Sequence, residues 1–474
     1  MFDECAGNFT HKRLKALAWL VAVVAFFAIA RALYIRELNG LPQAPVKTPN
    51  IVFILTDDLG WGDTGFNWQN SRAADLPRLH TPNLDRFAAE GVVMSDHYCA
   101  APVCAPSRAS ILTGKLQGEC SLKGDCFDRP FAETKTLGTV LKDAGYATWA
   151  VGKWGVAGGG ESRLPVTSHP LDRGFDYFYG FLDHCAGHTY YHHDHLLENG
   201  AWMGVTENRT NAVESARGVY STDLYTAKAI DLIRRHVESG TRRPFFLYFA
   251  VNTIHASHYC ADRLDPEVKC REFLHVPAEG YTPGKLVWPM AKEDPAKSNT
   301  YIHPDYAALT NSAAARYATA IRRFDDDFGE FLGELQRLGI DRDTLVVFTS
   351  DNGAAAECGG DPRHFASTGP FRGKKRDVLE GGMRVPAVMR WPGTLAPGTD
   401  SAPSISVDWM PTFEAVAKGG KIDGIVRRSP VRCEYNGQSM RREGDRVYLR
   451  LTPDSPEEIY DVVKDPGEIE NLAK

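Results

Sequence analysis

No long basic tract runs through this chain of 474 residues, in which 54 Lys and Arg face 60 Asp and Glu for a formal net charge of −6. Nucleic-acid binding therefore has no electrostatic support, and an anionic polymer would need a local basic patch. Cysteine is sparse as well: ten residues (5, 99, 104, 120, 126, 185, 260, 270, 358 and 433) cannot staple a disulfide scaffold, though they are compatible with an oxidising compartment. Cys120 with Cys126 and Cys260 with Cys270 stand close enough to close small loops; free buried thiols are the alternative. No internal repeat is present. The length and 43% hydrophobic content suit a globular protein with one large domain and a smaller one.

At the N-terminus, His11, Lys12, Arg13 and Lys15 precede an uncharged apolar run from Ala16 to Ala30. The run suits a signal-peptide core, with Ala28-Ile29-Ala30 or Ala30-Arg31-Ala32 as a cleavage site. Carried on to Ile35 across Arg31, it suits a membrane anchor with its basic end inside. Either reading exports the rest of the chain, to the periplasm, the exterior or the outer face of a membrane. Asn208-Arg209-Thr210 is a glycosylation acceptor only in a eukaryotic source.

After a proline-marked linker, the wholly apolar run Ile51-Val52-Phe53-Ile54-Leu55 predicts a strand buried on both faces of a parallel sheet. Thr81-Pro82 opens a helix that Gly91 closes, with Thr81 as its cap. Helical stretches near 133–144, 221–237 and 305–338 lead into strands at 146–151, 245–250 and 344–348. This alternation predicts an α/β fold, a large and mainly parallel sheet with helices on both faces. Ser406 to Ala417 reads as a helix, followed by a strand pair near 437–449 and a further strand at 458–461.

Polar residues of one kind follow each strand. The first strand gives Asp57-Asp58, the second Lys153, the third His255 and the last Asp351-Asn352. In an open parallel sheet these ends share one edge, where ligands bind. Clustered acids and an amide oxygen form a hard, oxygen-only site that selects Ca²⁺ or Mg²⁺ over zinc. Singly, each signal reads as turn chemistry or a solvated charge; together, acids and cations at one edge make a place to hydrolyse an anion.

One further segment prepares a nucleophile. In Cys104-Ala105-Pro106-Ser107-Arg108, Pro106 fits only the first turn of a helix that Gly114 ends, so Cys104 lies at a helix start. There a thiolate and an incoming anion are both favoured, with Arg108 one turn on. Cys104 through Gly114, as Cys-x-Pro-Ser-Arg-Ala-Ser-x-Leu-Thr-Gly, resembles the signature of the sulfatases. The likeness extends to Thr56–Asp63, Gly152-Lys153-Trp154, Gly174–Gly180, Ser350–Gly353 and the loop from Arg372 to Pro386.

That resemblance implies a formylglycine-dependent enzyme of the alkaline phosphatase-like superfamily. A formylglycine-generating enzyme would convert Cys104 to 3-oxoalanine, and one hydroxyl of the aldehyde hydrate would attack the sulfur of a sulfate ester. Asp57, Asp58, Asp351, Asn352 and the modified Cys104 would bind one Ca²⁺ ion. Arg108, Lys153 and Lys375 would hold the hydrate and the sulfate oxygens, and His255 would contact sulfate or protonate the leaving group. It also implies residues 1–36 as signal peptide or anchor, 37–49 as linker, 50–400 as catalytic domain and 401–474 as a small subdomain with an antiparallel sheet.

The chain departs from the pattern at Gly155, where many relatives carry histidine two residues after the lysine. His184, His188, His192, His193 and His195, beside Tyr190 and Tyr191, offer a replacement, a transition-metal site or merely a pocket rim. Two other functions stay open: a phosphonate monoester or phosphodiester hydrolase using the same aldehyde, and an exported binding protein with unmodified Cys104. The segments 184–202 and 256–302 are expected to shape the substrate pocket, and a sulfated saccharide is the favoured substrate.

Overall fold

The computed structural model describes residues 48–124, 131–158, 168–182, 190, 197–199, 201–202, 220–255, 302–356, 361–420 and 422–473. The N-terminal apolar run, the glycosylation acceptor, the five clustered histidines, Cys126, Cys260 and Cys270 lie outside these residues. Among the described residues no helix is long and apolar enough to cross a membrane.

The strands are β1 (Asn50–Thr56), β2 (Val92–Met94), β3 (His97–Tyr98), β4 (Ala147–Lys153), β5 (Tyr177–Phe181), β6 (Leu197–Glu198), β7 (Ala201–Trp202), β8 (Phe245–Ala250), β9 (Thr344–Ser350), β10 (Ala387–Arg390), β11 (Gly398–Asp400), β12 (Ser404–Ile405), β13 (Arg432–Tyr435), β14 (Gln438–Glu443), β15 (Arg446–Arg450) and β16 (Glu458–Asp461). The helices are α1 (Pro82–Ala89), α2 (Cys104–Thr113), α3 (Leu137–Asp143), α4 (Ser221–Glu238), α5 (Ser312–Arg337), the single turn α6 (Glu380–Met383) and α7 (Trp409–Ala417).

Ten strands form one sheet in the order β11-β2-β10-β9-β1-β8-β4-β5-β6-β7. Its centre is parallel: β1 pairs with β8 and β9, and β4 with β8 and β5. Side chains of a strand alternate between faces, and both faces of β1 are apolar. Val52 and Ile54 pack with Leu84 and Phe87 of α1, Ile230 and Ile233 of α4, and Phe324 and Phe328 of α5. Ile51, Phe53 and Leu55 pack with Ile111 of α2, Leu137 and Leu141 of α3, and Phe413 of α7. The expected layering, with helices on both faces, is what these two clusters build.

Three local differences have simple causes. The helix expected from 133 starts at Leu137, because the Thr136 and Thr139 hydroxyls exchange bonds with each other's backbone N–H and close a capping box. Thr81 precedes α1 but does not cap it: its hydroxyl accepts from the Gly65 N–H and donates to Asp85. The stretch from 305 begins as a separate 3₁₀ turn at Pro304–Tyr306, and α5 starts at Ser312, capped by Asn311.

The antiparallel sheet β13-β14-β15-β16 stands apart at the C-terminus. A buried polar network fastens it to the larger layer. The Tyr98 hydroxyl donates to Glu380 (2.8 Å) and accepts from Arg384 (3.0 Å) and from Arg442 of β14 (2.5 Å). Arg384 and Arg442 also share the Asp96 carboxylate at 2.6 and 2.9 Å. Beyond the sheet, Glu468 accepts from the Glu380 N–H on its side chain (3.4 Å) and from Arg372 on its backbone carbonyl (3.2 Å).

Candidate active site

The carboxyl ends of β1, β4, β8 and β9 deliver their polar residues to one place, as the parallel order requires. Asp57, Asp58, Lys153, His255, Asp351, Asn352, Cys104, Arg108 and Lys375 are all buried. Buried charges persist only when paired and hydrogen-bonded, and here each has a partner. Lys153 Nζ donates to Asp57 Oδ2 (2.5 Å) and Lys375 Nζ to Asp58 Oδ2 (2.8 Å). Arg108 Nε donates to Asp351 Oδ2 (2.9 Å), its Nη2 stands 2.8 Å from the same oxygen as an ion pair, and Nη1 donates to the Lys153 carbonyl (3.1 Å). Arg108 Nη2 also lies 3.9 Å from Asp57 Oδ1. Three carboxylates and three cations thus balance within the site.

The backbone explains how adjacent aspartates reach different partners. The Asp57 N–H donates to the Thr253 carbonyl and the Asp351 N–H to that of Thr56, which ties three strand ends together. Asp58 adopts φ +66°, a left-handed conformation that Asp tolerates better than most residues, and its N–H donates to Asp351 Oδ1 (3.2 Å). The turn sends Asp57 toward Lys153 and Asp58 toward Lys375 and Asn352 Nδ2 (2.8 Å). His255 Nε2 is 3.5 Å from Lys375 Nζ and 3.8 Å from Asp58 Oδ2.

α2 begins at Cys104 and ends at Gly114, whose φ of +65° is the left-handed cap expected of glycine. Two residues assigned no role from sequence support it: Ser107 of the motif, whose Oγ donates to the Asp351 carbonyl (2.5 Å), and Tyr248 of β8, which lies against Arg108. Tyr248 is hidden in sequence because it sits in a run that reads only as buried strand. Lys375, the expected lysine of the downstream loop, is held through its own N–H on the Ala354 carbonyl, while the Arg376 N–H donates to Pro102 beside α2.

Electrostatics corrects one expectation. A thiolate is not favoured at Cys104: burial pushes the thiol up to about 11, and the opposing pull of Lys153 and Lys375 does not restore it. Burial also raises the Asp57 carboxyl, but Lys153, Arg108 and Lys375 outweigh it and hold Asp57 below the ordinary carboxylate range. Asp351 moves the other way, to about 7, through burial and then the nearby Asp57 charge, despite Arg108.

The donor set fits a hard dication. Asp57, Asp58 and His255 can bring ligand atoms within 4.8 Å of one another. Asp57 Oδ1 and Asn352 Oδ1 are buried oxygens without a hydrogen-bond donor, the condition in which a cation serves as partner. The Asp351 carboxylate is engaged by Arg108 and the Asp58 N–H.

Gly155 faces this cluster. At φ +75°, a Cβ added there would lie 3.1 Å from Arg108 Cδ and 3.4 Å from Lys153 Cε. The position that carries histidine in many relatives is therefore in the site, but this backbone is shaped for glycine. Cys120 is a thiol within reach of the Ser110 (3.6 Å) and Thr113 (3.5 Å) hydroxyls and is not part of a disulfide.

Fold and site together define a buried centre of paired charges at the carboxyl edge of a mixed sheet. The family model described as Sulfatase matches residues 49–419, and the chain belongs to the sulfatase family, within the alkaline phosphatase-like superfamily. Mouse N-acetylgalactosamine-6-sulfatase is 32% identical over 388 residues, which cover 77% of this chain and 62% of that protein. Rat steryl-sulfatase is 28% identical over 433 residues, covering 81% and 70%. The chain thus spans less than two thirds of the N-acetylgalactosamine-6-sulfatases it matches. Two solved structures share the fold: Ps i-CgsB with k-i-k-neocarrahexaose (TM-score 0.66, 23% identity, 90% and 89% covered), and the phosphonate monoester hydrolase of Agrobacterium radiobacter (TM-score 0.53, 20% identity, 90% and 91% covered).

Proposed function

We propose that this protein hydrolyses sulfate esters at Cys104, converted to formylglycine by a formylglycine-generating enzyme. The observation that carries the reading is the convergence of Arg108, Lys153, Lys375 and His255 beside Cys104, with the Asp57 and Asn352 oxygens lacking donors. A Ca²⁺ ion held by Asp57, Asp58, Asp351, Asn352 and the modified Cys104 would supply Lewis-acid stabilisation of the sulfuryl oxygens. In this assignment Lys153, Lys375 and Arg108 orient the nucleophile and neutralise charge on sulfate, in a buried setting where fixed charges act strongly. His255 carries a proton to the departing alkoxide. The hydrated aldehyde would supply the hydroxyl that takes the sulfuryl group as the S–O bond to the alcohol breaks, and its second hydroxyl would release sulfate; addition of one water to the aldehyde then balances the hydrolysis.

The saccharide names among the similar proteins, N-acetylgalactosamine-6-sulfatase and the neocarrahexaose complex, favour a sulfated saccharide as substrate. We assign residues 50–400 to the catalytic domain and 401–474 to a smaller subdomain, with α7 packed back on the large sheet through Trp409 and Phe413 against Phe53. Residues 1–36 are assigned as signal peptide or anchor and 37–49 as linker, which places the catalytic part outside the cytoplasm.

Paired aryl sulfate and aryl phosphate or phosphonate esters test the reaction. Faster sulfate cleavage is expected; faster phosphorus-ester cleavage would favour the second reading, which the shared fold of the phosphonate monoester hydrolase supports. Mass spectrometry of the peptide containing Cys104 addresses the third reading. An intact thiol in protein from its native host would exclude this mechanism and leave a binding protein.

A further inference from the structure

Arg72 and Arg78 are half-buried and adjacent, yet neither makes an ion pair among the described residues. Arg72 Nη2 donates to the His364 carbonyl (3.3 Å), and Arg78 Nη2 donates to the Arg72 carbonyl. Asp75, midway between them in sequence, is exposed and pairs with neither. Arg72 Nε and Nη1, Arg78 Nε and His364 Nε2 are buried atoms without hydrogen-bond partners. Burial, and then the neighbouring Arg78 charge, pushes the Arg72 guanidinium below its ordinary value. Two like charges held together with no counter-charge among the described residues form an arrangement that an anion relieves, and the guanidinium fork matches sulfate and carboxylate geometry.

The arginines also lie in a useful place. They follow β1 in the chain and His364 follows β9, the two strands whose ends carry Asp57, Asp58 and Asp351. Beside His364 opens a shallow recess lined by Asn311, Tyr317, Ala355, Pro362 and Phe365, and Ala355 follows closely on Asn352. Its aromatic wall is ordered: the Tyr317 and Phe365 rings stack 6.0 Å apart at 14°, and the Tyr317 hydroxyl donates to Asp63 (2.7 Å). Asp361 also borders the recess, but Arg363 pairs with its carboxylate at 2.9 Å.

We propose that Arg72, Arg78 and His364 form a second anion subsite, which binds a sulfate or carboxylate group on the same saccharide whose ester sulfate is cleaved at Cys104. The selected substrate class is a polyanionic saccharide with at least two acidic groups. In a chain of net charge −6, this local pair also supplies attraction that the protein as a whole does not. The assignment of a saccharide rests on the sulfatase reading; the anion subsite rests on the arginines.

The test compares wild type with the double variant Arg72→Ala, Arg78→Ala on a neutral aryl sulfate and on a sulfated, uronate-containing tetrasaccharide. Loss of charge-assisted bonds should raise KM for the tetrasaccharide about tenfold or more, while kcat/KM for the aryl sulfate stays within about twofold. An equal loss on both substrates, or none on the tetrasaccharide, overturns the subsite. Calorimetric titration of the tetrasaccharide into Cys104→Ala, with and without the two arginine changes, reads the subsite without turnover. There, absent or arginine-independent binding overturns the subsite, whereas a wild type that binds this sugar but cleaves neither ester overturns only the sulfatase reading. Arg72→Lys, Arg78→Lys keeps the charges and loses the forks; an intermediate KM supports the proposal should the alanine variant fold poorly, and wild-type KM overturns it.

Discussion

Replacing Gly155 tests whether this site has room for the side chain found there in many relatives. A left-handed φ of +75° costs a non-glycine residue about 1–2 kcal/mol. The new Cβ would stand 3.1 Å from Arg108 Cδ. Arg108 cannot easily withdraw, since Nε donates to Asp351 at 2.9 Å, Nη1 donates to the Lys153 carbonyl at 3.1 Å and Nη2 stands 2.8 Å from the same Asp351 oxygen as an ion pair. Overpacking of this kind costs about 1–3 kcal/mol. The reduced entropy of the unfolded chain returns about 0.4–1 kcal/mol, so Gly155→Ala should lose about 1–4.5 kcal/mol net. Urea unfolding measures that loss, and kcat on an aryl sulfate should fall with it as Arg108 is displaced. Gly155→His should do no better, because an imidazole placed between Arg108 and Lys153 adds bulk and, when protonated, a third positive charge. A Gly155→Ala protein within about 0.5 kcal/mol of wild type, or a Gly155→His protein with raised kcat, would refute this reasoning.

Three further outcomes are expected. Burial raises the Asp63 carboxyl to about 7, so its neutral form is favoured by folding; that stability is present below the unfolded value of 3.8 and is lost as pH rises through about 7. Unfolding free energy should therefore decline over this window by up to about 1.4 kcal/mol per pH unit from this group, and Asp63→Asn should flatten the slope. Stripping Ca²⁺ with a chelator should lower the melting temperature, and restoring it to a hundredfold excess over Kd should return about 2.7 kcal/mol; an unchanged melting curve would count against the metal. Arg442→Met leaves Asp96 short of one of its two arginine partners and should cost about 3–5 kcal/mol in denaturant unfolding, against about 1–3 kcal/mol for Tyr98→Phe.

The strand-end residues were legible because their logic is topological. Once Ile51–Leu55 and Phe245–Ala250 read as parallel strands, Asp57, Asp58 and His255 had to share an edge, and they do. Lys375 was found through the likeness of its loop alone; no periodicity points to it. β10, the antiparallel strand beside β9, and the short strands β2 and β11 beyond it went unread, because strands of three or four residues carry too little alternation. The thiolate failed for a different reason. A helix start and nearby lysines are visible in sequence, whereas the burial that outweighs them at Cys104 is a property of the whole fold. The network of Tyr98, Glu380, Arg384 and Arg442 was equally hidden, since its members are scattered and each alone is an ordinary surface residue type.

The grip of Glu468 on Arg372 and Glu380 couples the C-terminal segment to the lysine-bearing loop. Those two residues bracket Lys375, so the loop that brings this lysine to Asp58 is fastened from both sides by a residue that lies beyond the C-terminal sheet. A change at Glu468 is therefore expected to be felt at Lys375 as well as in the C-terminal segment, through a loop whose other holds are the Ala354 and Pro102 carbonyls.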